Sequence, residues 1–101
     1  MRTTVEQRDG KLSIRLDGRF DFNAHRIFRE SYAAGLTAHD VRELEIDLAL
    51  VDYVDSSALG MLLMLREKAH AANKLVALTN CSGAVKQILD VANFGRLFPI
   101  R

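Results

Sequence analysis

Two short stretches of this chain alternate between apolar and polar residues, and each is followed by apolar residues spaced three to four apart. Leu12, Ile14 and Leu16 alternate with Ser13, Arg15 and Asp17. Leu44, Ile46 and Leu48 alternate with Glu45, Asp47 and Ala49. A period of two gives a strand with one buried face. After the first stretch come Ala24, Ile27, Phe28, Ser31 and Ala34 or Gly35; after the second come Ala58, Leu62, Leu65, Ala69 and Ala72, with Leu59 and Leu63 widening the stripe. That spacing belongs to an amphipathic helix. A chain that switches between these two periods must pack helices against a sheet.

The remaining elements follow from punctuation. Residues 3–8 read as a first strand, ended by the hairpin dipeptide Asp9-Gly10. Gly18 is expected to close the second strand. Asn23 is expected to N-cap the first helix, with Phe22 and Ile27 as its hydrophobic staple, and Gly35 to stop it. The second helix should run from Ser57 to Ala72. Leu75 to Thr79 reads as a short buried strand. Ser82 is placed to cap a third helix with the stripe Val85, Ile88, Leu89 and Ala92, and Asn93 and Gly95 suit its end. Leu97 to Ile100 reads as a last strand, which Pro99 confines to an edge. The order is β-β-α-β-α-β-α-β. It predicts an α/β fold with a small mixed, mostly parallel sheet of four to five strands and helices packed against it. In such folds, sites favour the carboxyl ends of strands.

At 101 residues the chain is expected to form one domain over 1–101, with a core that needs no disulfide. A formal net charge of +1 offers no basic field for nucleic acid. The single Cys81 fits a reducing cytoplasm. The start, MRTTVEQRDGK, carries no signal-peptide hydrophobic region, and the longest apolar run, Ala58 to Leu65, is too short to span a bilayer. His25, His39 and His70 are dispersed, without the clustering zinc requires. No Walker loop, dinucleotide fingerprint or hydrolase elbow is present. The second strand lacks the acidic pair of a receiver domain. The expectation is a protein that is no enzyme, holds no cofactor or metal, and does not insert into membranes.

What chemistry there is lies in Asp55-Ser56-Ser57, at a strand-to-helix junction. The plain account is capping: Asp55 or Ser56 accepts a bond from an orphan amide. The functional account adds a phosphoryl group on a serine at the helix N-terminus, where free amides and the macrodipole favour a dianion. Such a group would reverse the charge of a docking surface without touching the core. Met61 and Met64 lie off the main helical stripe, either in a generous core or in an adaptable apolar patch beside Ser56. Gly60 costs about 1 kcal/mol against Ala inside a helix, which is best explained if another surface approaches closely. Arg19 and Arg66 are either solvated charges or positive rims of that patch.

The segments Gly18-Arg19-Phe20-Asp21, Asp55-Ser56-Ser57-Ala58-Leu59-Gly60 and Asn80-Cys81-Ser82 give the chain its resemblance to the STAS domain family of anti-sigma factor antagonists. The resemblance covers essentially the whole length, in its single-domain form. It implies that Ser56 is the phosphorylated residue, with Asp21, Asp55 and Ser57 as switch-site neighbours and Gly60, Met61 and Met64 toward the partner. It further implies partner switching. Unphosphorylated protein binds an anti-sigma factor that is commonly a serine kinase; phosphorylated protein releases it. A PP2C-like, metal-dependent phosphatase, of the kind fused to or governed by a response regulator, restores binding. ATP and metal belong to those partners. Longer relatives end in an additional helix, which the sequence through Arg101 does not include. A monomer is expected when free. The alternative is a STAS subunit of a lipid-importing ABC transport complex, with the same helix as a permanent docking face.

Overall fold

The computed structural model describes residues 1–81 and 83–101; the expected cap at Ser82 lies outside the described residues. Strand β1 (Arg2–Arg8) turns directly into β2 (Lys11–Phe20). Asp9 and Gly10 both take positive φ, 51° and 82°, as a two-residue hairpin between paired Arg8 and Lys11 requires. Helix α1 (His25–Thr37), strand β3 (Glu43–Val54), helix α2 (Ser56–Ala71), strand β4 (Leu75–Thr79) and helix α3 (Gly83–Val91) follow.

The sheet order is β1-β2-β3-β4. β1 is antiparallel to β2, while β2–β3 and β3–β4 are parallel. Parallel crossovers that each step one strand in the same direction put their helices on one face. Leu12, Ile14, Leu16, Leu44, Ile46, Leu48, Val76 and Leu78 form one buried cluster with Phe28, Leu62, Leu65 and Leu89 from the helices. The other face is polar. There Lys11 reaches Glu45 (3.2 Å), Arg15 reaches Asp47 (3.2 Å), and Arg101 forks onto Glu43 (3.0 and 3.1 Å).

Several boundaries differ from the sequence reading. Gly18 does not close β2; the strand continues to Phe20, with register shifts against β3 at Arg15/Asp17 and Gly18/Arg19. β3 likewise runs past residue 50 to Val54, because β2 supplies its ladder partners. The first helix begins with a 3-10 turn, Phe22–Ala24, capped by Asp21 rather than Asn23. Phe22 is 68% exposed and makes no staple. The buried stripe is Ala24 of that turn followed by Phe28, Tyr32 and Gly35 of α1, with Ile27 at the rim. Phe20, Phe28 and Tyr32 form an aromatic column with ring centroids 5.0 and 5.2 Å apart. Gly35 does not stop the helix. It lets α1 approach β2, since a Cβ there would lie 2.5 Å from Leu12 Cδ2. α2 starts one residue earlier than expected, at Ser56, and Leu63 faces outward. The expected last strand reduces to one parallel bridge, Leu78 to Ile100, after a 3-10 turn over Phe94–Arg96. Pro99 does sit at the sheet edge, where its carbonyl accepts from Leu78 N at 2.9 Å.

Candidate functional site

β2 and β3 end side by side. Phe20 pairs with Val54, and Asp55 N donates to Phe20 O at 3.3 Å. The next residue of each strand is an aspartate, so the parallel register brings Asp21 and Asp55 together at the carboxyl end of the sheet. Each caps the helical turn that follows it. Asp21 Oδ1 accepts from Asn23 N at 3.0 Å, and Asp55 Oδ1 accepts from Ala58 N at 2.9 Å.

Because Asp55 is the cap, Ser56 is released from that duty. Ser56 and Ser57 are the first two residues of α2, and both are exposed. The unpaired amides and positive dipole end of α2 lie where a phosphoryl group on Ser56 would be placed. Arg19 is held beside this end through Asp21. Its Nε lies 3.6 Å from Asp21 Oδ2, and its guanidinium carbon lies 3.9 Å from the centre of the Tyr53 ring. Arg66 is fastened elsewhere, donating from Nε to Leu97 O at 2.7 Å.

The residues expected to face a partner separate. Met61 is only 7% exposed and belongs to the core, because α2 rolls it onto the sheet. Met64 is 45% exposed, and Gly60 is exposed with no atom within 4 Å of a Cβ placed on it. Ser57, Gly60 and Met64 lie at i, i+3 and i+7, on one flank of α2. A second flank escaped the sequence reading. Leu59 is three residues beyond Ser56 and lines an apolar groove of about 420 Å³ with Gln87, Ile88, Val91 and Ala92 of the α3 region. Val91 is 86% exposed there. Its signal in the sequence is an aliphatic residue outside the Val85–Ile88–Leu89 stripe.

Elsewhere the chemistry is sparse. His25, His39 and His70 are exposed and far apart in sequence. Among the described residues, no three His, Cys, Asp or Glu side chains gather as a metal site. Cys81 is half-buried, and burial pushes its thiol above the usual range. No helix among the described residues is long and apolar enough to cross a membrane.

Comparison with known proteins agrees with this architecture. A family model described as "Mlab, STAS domain" matches residues 3–99. A STAS-domain containing protein of Pseudomonas aeruginosa is 46% identical over 99 residues, covering 97% of this chain and 96% of that protein. The phosphorylated form of the Bacillus cell fate determinant SpoIIAA superposes with a TM-score of 0.75 at 19% identity, over 99% of this chain and 91% of that one. An anti-sigma factor antagonist from Mycobacterium paratuberculosis superposes at 0.83 with 22% identity, over 98% and 83%. At those identities the two structures speak for the fold.

Proposed function

The chain belongs to the STAS domain family, and on that premise we propose that it is an anti-sigma factor antagonist switched by phosphorylation of Ser56. One observation carries the reading: Asp55 caps α2, so the neighbouring Ser56 is exposed at the helix N-terminus, one turn from an apolar groove. The unmodified protein docks the groove, Gly60 and Met64 against an anti-sigma factor and so frees a sigma factor. That partner is a serine kinase. It transfers the γ-phosphoryl of ATP: the Ser56 Oγ–P bond forms, the bond to the β-phosphate oxygen breaks, ADP leaves, and the hydroxyl proton passes to a base of the kinase. The added charge of nearly two units sits beside Asp21 and Asp55; it repels an acidic partner surface and is costly to desolvate against an apolar one. A PP2C-like phosphatase under response-regulator control hydrolyses the ester. The antagonist itself works as a monomer in the bacterial cytoplasm and catalyses nothing.

The existence of a phosphorylated SpoIIAA supports this reading, since the same fold there accommodates the modification. The test is affinity for the cognate anti-sigma factor. Ser56→Ala should bind like the unmodified protein, and protein phosphorylated at Ser56 should bind at least about 100-fold more weakly, roughly 2.8 kcal/mol. Equal affinities would refute the switch. Co-purification with a transport ATPase, with Ser56 unmodified in native cells, would instead establish a permanent docking subunit.

A further inference from the structure

We propose that Arg19 is the latch of the Ser56 switch: held on Tyr53 and Asp21 in the unmodified protein, it moves onto the phosphoryl oxygens of phosphoserine 56 and uncovers the Tyr53 ring. The inference rests on the reading of Ser56 as a phosphoacceptor and adds what the modification does to this surface.

The register of the sheet brings the parts together. Arg19 pairs with Tyr53 across β2 and β3, and Phe20 pairs with Val54. Phe20 and Val54 point into the core, so Arg19 and Tyr53 lie toward the opposite face of the sheet. From there the guanidinium folds over the edge to Asp21, which flanks Asp55, and Ser56 is the next residue. Asp21 and Asp55 directly follow the paired residues Phe20 and Val54 at neighbouring strand ends. Arg19 therefore already rests against a carboxylate beside the modified residue.

The resting position is weakly held. Asp21 shares its carboxylate between Arg19 and the amide of Asn23, and the Arg19 side chain is 63% exposed. An exposed ion pair of this kind competes poorly with a dianion that offers three acceptor oxygens in the fork geometry guanidinium prefers. Asp52 and Asp55 repel phosphate; Arg26, in an exposed pair with Glu30 (3.6 Å) along α1, is a competing cation, and Arg19 differs from it in being joined to Asp21, beside Asp55. His25 is the first residue of α1, four positions after Asp21. Once Arg19 leaves, the Tyr53 ring, already 40% exposed, loses its cover. Phosphorylation would thus uncover an aromatic ring at the carboxyl end of the sheet.

The test uses the protein carrying phosphoserine at position 56, in a His25→Gln background that removes the imidazole at the start of α1. Phosphorus NMR titration should place the second phosphate ionisation about half a unit lower with Arg19 than in Arg19→Gln, the effect of one charge about 5 Å away in a water-like dielectric. Arg19→Lys should retain the shift in part, since it keeps charge without the fork. The Tyr53 ring resonances should move on phosphorylation with Arg19 and stay fixed with Arg19→Gln. Identical titrations with and without Arg19, or Tyr53 resonances indifferent to phosphate, would overturn the latch. Because the phosphate is installed directly, this result is independent of whether a kinase modifies Ser56 in cells. Absence of that modification would defeat the switch and leave the contact measurable.

Discussion

Gly60 provides a test in which stability and docking move in opposite directions. It is the fifth residue of α2, well inside a 16-residue helix, and a Cβ built there meets nothing within 4 Å. Gly60→Ala therefore adds no clash and removes the backbone entropy penalty of glycine, a gain of about 1 kcal/mol. For a domain of this size that gain corresponds to a rise in Tm of about 4–8 °C. Gly35→Ala is the matched control in α1. Its Cβ would lie 2.5 Å from Leu12 Cδ2 and 3.4 Å from Leu44 Cδ2, in the buried core. Overpacking costs about 1–3 kcal/mol, against the same propensity gain of about 1 kcal/mol. The net is a loss of about 1 kcal/mol. Urea denaturation and calorimetry of both variants read these signs directly. If Gly60 is kept glycine by a close-approaching partner, Gly60→Ala should also weaken anti-sigma binding while the free protein becomes more stable. A Gly60→Ala protein that is destabilised refutes the account of the helix. One that is stabilised and binds with unchanged affinity refutes the assignment of this flank to the partner.

Asp55→Ala removes the acceptor for Ala58 N and should cost about 1 kcal/mol of stability, while Asp55→Asn keeps most of it; urea midpoints would separate the two. Lys74 is buried, and its Nζ donates to Ala38 O and to Val41 O (2.8 Å). Lys74→Ala leaves both carbonyls without that donor and should cost about 1–3 kcal/mol in the same assay. The polar face of the sheet predicts acid sensitivity. The Arg101 fork, helped by Lys11 and opposed by burial, holds the Glu43 carboxyl below its ordinary value near 4.5. Burial also opposes ionisation of Asp47, but bonds from the Ala49 amide, Asn80 and Arg15 outweigh it. A lowered folded value means stability that is present above the unfolded range and lost as pH falls through the folded one. Stability should therefore decline below about pH 4.5, and Glu43→Gln should flatten that decline in a pH series of urea melts.

The sequence by itself determined the order of the four paired strands and three helices and the strand-to-helix junction at Asp55. The Leu12–Ile14–Leu16 and Leu44–Ile46–Leu48 alternations, the Asp9-Gly10 turn and the Asp55-Ser56 helix start are each encoded within a few residues. Periodicity and capping act over that range, so they can be read without knowing what lies opposite. Tertiary structure decided what depends on neighbours distant in the chain. β2 passes through Gly18 because β3 offers a ladder to Phe20, and the last strand shrinks to one bridge, Leu78 to Ile100, with backbone bonds from β4 and Asn80 to Pro99 and Arg101. Met61 and Met64 are the same residue type three positions apart on one helix. Only the rotation of α2 onto the sheet buries the first and exposes the second. Asp21 and Asp55 are 34 positions apart in the chain, and the parallel register makes them neighbours. The apolar groove exists because α3 returns beside Leu59. Burial and proximity are properties of packing between segments, and no local pattern of residues contains them.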